Sequence, residues 1–158
     1  MARPNARARD AAVFMKDTAG RTNWGHPGLA KMLRGVGVDE ATWKPIPGAH
    51  SIWEEVNHIA YWSQYVLERL AGRSKSTPQA WPAGRGGAQA WRRTVTGVLR
   101  MHATLVRRIA ALDEAALSER ARKYTLAQLV LGCTAHVSYH VGQIAVLKRL
   151  YRHARRTA

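Results

Sequence analysis

Two histidines four residues apart, His136 and His140 in "CTAHVSYHVGQI", are the side chains of this chain best spaced for chemistry. On an α-helix, positions i and i+4 share a face with Cβ atoms about 5–6 Å apart, so both imidazoles can aim at one point. Two imidazoles from one helix hold a metal ion incompletely, and a three-ligand site needs a donor from elsewhere. His58, in "EEVNHIAYW", lies in a separate apolar-striped segment. It completes the set if the second and fourth long helices are neighbours. The alternative is a group of partly buried histidines bonded to backbone or water. His-x3-His arises by chance, and His102 and His153 show that the chain uses histidine elsewhere. Against that stands a cost: three buried neutral imidazoles need separate hydrogen-bond partners, whereas one divalent cation serves all three.

Around this set stand several side chains with two readings each. Glu54, four residues before His58, can place a carboxylate behind the ligand or move a proton; it can equally be a helix cap. Gln143, at i+3 from His140, faces the same pocket and can bond a water or substrate, or else a neighbouring helix. Glu55 reads as a surface charge. Trp62 walls the pocket or belongs to the core. Cys133, one turn before His136, is a soft fourth ligand or a small buried apolar residue. Tyr139, rotated about 100° from His140, is expected to pack on another helix. His26 and His50 lie in loops and read as structural. Ser51 and Ser138 lack a base–acid pattern, and no phosphate loop or paired-carboxylate signature is present. Any catalysis must come from the metal.

The 158 residues are expected to form one domain over 1–158, with the ends, about 1–5 and 153–158, frayed. No apolar run approaches the roughly 20 residues that cross a bilayer, and "AAVF" near the start is too short for a signal segment. The expectation is a cytoplasmic protein without membrane contact. Cys133 is the single cysteine, which excludes an internal disulfide and cysteine-based metal motifs. The formal charge of +15 suits nucleic acid, an anionic surface or acidic substrates. It is concentrated at the ends (Arg3, Arg7, Arg9; Lys148, Arg149, Arg152, Arg155, Arg156) and otherwise scattered, which favours a solvated basic surface over a nucleic-acid interface.

Long stretches without proline and with helical periodicity predict an all-α fold, a four-helix bundle with short extra helical turns. The predicted long helices span Ala6 to Ala19, Ser51 to about Leu70, Ala88 to Leu112, and Thr125 to about Tyr151. Short turns fall near Leu29–Arg34, Asp39–Trp43 and in "DEAALSERARKY". Ser51 with Glu54 and Thr125 with Gln128 are capping boxes, Gly72 stops the second long helix, and "GRSKSTPQAWPAGRGG" is a flexible connection.

The stretches "IPGAHSIWEEVNHIAYW" (46–62) and "HVSYHVGQIAVLKRLY" (136–151), with weaker echoes in "NWGHPGLAKMLRGV", "TWKPIPG" and "AWP", resemble the DinB superfamily, the DinB/YfiT-like proteins. The likeness runs in order over nearly the whole chain. It implies a four-helix bundle holding a divalent metal on three histidines, matched here by His58, His136 and His140. It also implies frequent homodimers and, in some members, thiol-dependent S-transferase or isomerase chemistry with a low-molecular-weight thiol. Zinc is the default ion; nickel, iron or manganese also suit imidazole-plus-water sites. The expected function is a metal-dependent transferase or hydrolase acting on a small molecule. The alternative is a non-enzymatic basic protein that contacts nucleic acid or an acidic partner.

Overall fold

A computed structural model describes residues 5–73 and 81–157. Its elements are α1 (Ala6–Ala19), α2 (Leu29–Leu33), α3 (Val38–Thr42), α4 (Ile52–Leu70), α5 (Ala88–Ala110), α6 (Glu114–Ser118), β1 (Arg120–Ala121), β2 (Tyr124–Thr125) and α7 (Leu126–Thr157). The chain is all-α, with one antiparallel hairpin of two residues a side.

Local chemistry sets the helix ends. The Asn5 side chain accepts the Arg7 N–H at 2.8 Å and caps α1. At α4, the Ser51 hydroxyl accepts the Glu54 N–H while the Glu54 carboxylate accepts the Ser51 N–H at 2.8 Å. At α7, Gln128 and Thr125 exchange the same two bonds, at 2.9 and 3.2 Å. Both are the reciprocal arrangement that satisfies otherwise orphaned N–H groups. Past α4 the chain turns through Gly72 at φ 68°, a left-handed conformation that costs glycine least.

The four long helices form a ring in which α1 and α4 each pack against α5 and α7. The neighbouring of α4 and α7 is the one the histidine set requires. Two apolar clusters fill the ring. One gathers Leu29, Trp53, Val56, Trp91, Val98, Val141 and Ile144 with others. The second holds Met15, Val66, Leu105, Ile109, Val130 and Cys133. On α4, α5 and α7 a buried polar layer of Ser63, His102 and Thr134 falls between the residues of the two clusters. His102 Nδ1–H donates to the Val98 carbonyl at 2.9 Å, and its Nε2 accepts from Ser63 Oγ at 3.1 Å. Burial lowers its pKa to about 4, so it stays neutral near pH 7.

Three expectations need correction. The segment "ERARKYT" forms the hairpin, which carries no alternating pattern because two-residue strands are too short to show one. Helix α7 continues past Tyr151 to Thr157. Lys148 is not part of an exposed basic tail: it is buried, and its Nζ donates to the Met32 carbonyl at the end of α2. The ends expected to fray fall partly outside the described residues; Asn5 is a cap and 153–157 are helical. Among the described residues no helix is long and apolar enough to cross a membrane.

Candidate metal centre

His58 projects from α4 and His136 and His140 from α7 into one point between the two helices. The Nε2 atoms of His136 and His58 are 3.1 Å apart, and those of His140 and His136 are 3.0 Å apart. The His58 and His140 rings lie 4.7 Å apart, centroid to centroid. Hydrogen bonds cannot satisfy this triangle, because one proton bridges one pair and leaves a third lone pair facing it. A cation at its centre satisfies all three. Imidazole nitrogens about 2.0–2.1 Å from one ion, at octahedral to tetrahedral angles, lie roughly 2.8–3.4 Å from each other. The donor set and its spacing therefore fit a divalent metal.

Second contacts fix the ring orientations. His140 Nδ1–H donates to Glu55 Oε2 at 2.5 Å, and both side chains are buried. That bond assigns the proton to Nδ1 and leaves the Nε2 lone pair for a metal. His136 is half-buried, and its Nδ1 meets no hydrogen-bond partner among the described residues. Burial, then the neighbouring His140 and His58, lower its pKa to about 4, which keeps it neutral and able to coordinate.

Trp81 closes one side. Its ring stacks on His58 at 3.8 Å and 9°, and on its other contact stacks with His50 at 3.7 Å and 3°. Asn57, the neighbour of His58, holds this segment by donating to the Pro82 carbonyl at 2.8 Å. Gly84 lies directly on the Trp53 ring, where a Cβ would overlap ring atoms. Residues 81–84 are thus anchored, whereas the sequence suggested a flexible connection; residues 74–80 of that connection lie outside the described ones. Trp62 closes another side, edge-on to His58 and His136 at 6.3 and 6.1 Å.

The other candidates distribute as follows. Glu54 turns away from the histidines. Its carboxylate caps Ser51 and accepts from Lys44 Nζ at 2.9 Å. Partial burial pushes its pKa up, but these bonds outweigh that and leave it lowered. The carboxylate at the histidines is Glu55, which the sequence reading placed on the surface. Its signal was available: Glu55 stands at i+3 from Ile52 and i−4 from Ile59, inside the apolar stripe of α4. Gln143 is half-buried on α7. Cys133 packs in the second apolar cluster, where burial raises its thiol to about 11. Tyr139 does not pack on another helix; it is 63% exposed, with its ring edge-on to His140. His26 accepts a structural role in its loop, its Nδ1–H donating to the Pro27 carbonyl at 2.9 Å. Trp81, beyond its place in the "AWP" echo, and His50 as its stacking partner were missed.

A bundle of four helices with three histidines converging from its second and fourth long members defines the class. The model of the DinB superfamily matches residues 24–144, and the chain belongs to that superfamily. Searches of curated proteins and of solved structures give no match.

Proposed function

We propose that this protein is a divalent-metal-dependent enzyme of the transferase or hydrolase type, acting on a small molecule at the His58–His136–His140 centre. The observation that carries it is the convergence of three Nε2 atoms with His140 held by a buried carboxylate. A divalent ion there would supply Lewis acidity, lowering the pKa of a water or thiol so that a nucleophile exists at neutral pH. The chain's own residues do the rest. Glu55 orients His140 and fixes its tautomer, Trp81 and Trp62 restrict water at two sides, and Gln143 is the amide on the same helix available to a substrate. Zinc is the default ion, and a low-molecular-weight thiol is the favoured cosubstrate. The test is to load the protein with zinc, nickel or manganese and assay thiol addition to electrophiles and ester hydrolysis. Turnover that His58→Ala abolishes is expected. Equal rates in both proteins would overturn the reading.

A different observation favours contact with an anionic polymer. Arg92, Arg93 and Arg100, with Gln89 and Thr96, surround a shallow depression of about 520 Å3 on the exposed side of α5, with no carboxylate among the described residues of its lining. Binding of RNA or DNA there should fall steeply with salt, with a log–log slope set by the phosphates neutralised. A homodimer is part of the main reading. It is supported by an exposed apolar stripe along α7, with Leu131, Tyr139, Val146 and Leu150 at near-heptad spacing. Light scattering should give twice the chain mass, and Tyr139→Lys should halve it.

A further inference from the structure

We infer that the groove beside the metal centre takes a small amphipathic anion, an aryl or alkyl body bearing a carboxylate. The carboxylate lies at the β1–β2 hairpin and the apolar body runs along α4 and α7 toward His136. The cavity measures about 790 Å3, and His136 is part of its wall. This is within the usual size of a small-molecule site, roughly 300–1,000 Å3. The inference rests on the metal reading only for what the far end of the ligand meets.

The two ends of the groove differ chemically. Near the histidines the wall is aromatic and aliphatic, with Trp62, Tyr65 and Leu129. At the hairpin it is cationic. The two-residue turn sets Arg122 and Lys123 side by side, and Arg69 stands opposite on α4. Among the described residues that line the groove there is no Asp or Glu. Arg69 is held in place, its guanidinium over the Tyr65 ring at 4.7 Å and its Nη1 bonded to the Arg73 carbonyl at 3.4 Å. Lys123 rests over Tyr124 at 5.0 Å. Arg122 holds its place in the turn at φ 64°, a left-handed backbone that glycine adopts more cheaply. A cationic mouth, an apolar throat and a metal-binding wall select a ligand with charge at one end and a reactive group at the other.

The experiment is calorimetric titration of the full chain with 4-phenylbutyrate and with its uncharged amide, and metal content is measured on the same preparations. The acid should bind at least about ten-fold more tightly than the amide, the scale of one charge-assisted contact. Arg122→Gln combined with Lys123→Gln should cost the acid about ten-fold and leave the amide unchanged. Gly132→Leu has open space for its Cβ on the groove wall and should weaken both probes. Equal binding of acid and amide, an unchanged preference in the double variant, or no binding of either probe overturns the inference. Acid preference in a chain that takes up no metal would sink the metal reading and leave this one standing.

Discussion

Glu55 decides what His140 can do. A carboxylate on Nδ1–H fixes the tautomer and ring angle, and removing such a partner typically costs a metal site about 10–100-fold in affinity. Glu55→Gln keeps an acceptor but loses the charge, and chelator competition should show zinc affinity falling within that range. Unchanged affinity would mean that the 2.5 Å contact is only a packing accident. Glu54→Gln should behave oppositely, because Gln still closes a capping box; zinc affinity should hold, and a loss like that of Glu55→Gln would restore Glu54 to the site. Two adjacent carboxylates in one helix illustrate what spacing alone conveys. Both lie within one turn of His58, and the choice between them depended on which one shares the buried stripe with Ile52 and Ile59.

At the scale of elements, the site is framed by a connection as much as by helices. The helices and their starts were legible because caps and apolar periodicity are local signals. The anchoring of residues 81–84 was not, since it depends on a glycine meeting the Trp53 ring and on Asn57 reaching the Pro82 carbonyl. Neither contact has a sequence period. Gly84→Ala should therefore destabilise the fold by about 1–3 kcal/mol through overpacking, and lift Trp81 from His58. Gly132→Ala, in a helix with open space around it, should be neutral or stabilising by up to about 1 kcal/mol. Thermal melts of the two variants check the pair; equal effects would contradict the packing described at Trp53.

For the whole molecule, the polar layer between the two apolar clusters links stability to pH. His102 is neutral when folded, with a pKa of about 4 against an ordinary value of 6.5. Between those values the unfolded chain binds more protons, so stability rises with pH across the window. The contribution is fully present above pH 6.5 and is lost as pH falls through about 4. Its size is on the order of 3 kcal/mol. Urea midpoints of metal-free protein from pH 7 to pH 4 should fall less steeply in His102→Gln than in the wild type. Parallel curves would assign the acid sensitivity elsewhere. Sequence counts gave no access to this layer, because Ser63 and His102 meet only when α4 and α5 pack.

The bundle and its ring of helices serve to bring residue 58 to residues 136 and 140, and a single measurement addresses whether a metal is what they meet around. Elemental analysis of the protein as purified, and again after zinc reconstitution and desalting, should find one divalent ion per chain in the wild type and close to none in His140→Ala. Equal metal content in the two proteins, or none in the reconstituted wild type, would contradict a metal centre at these histidines.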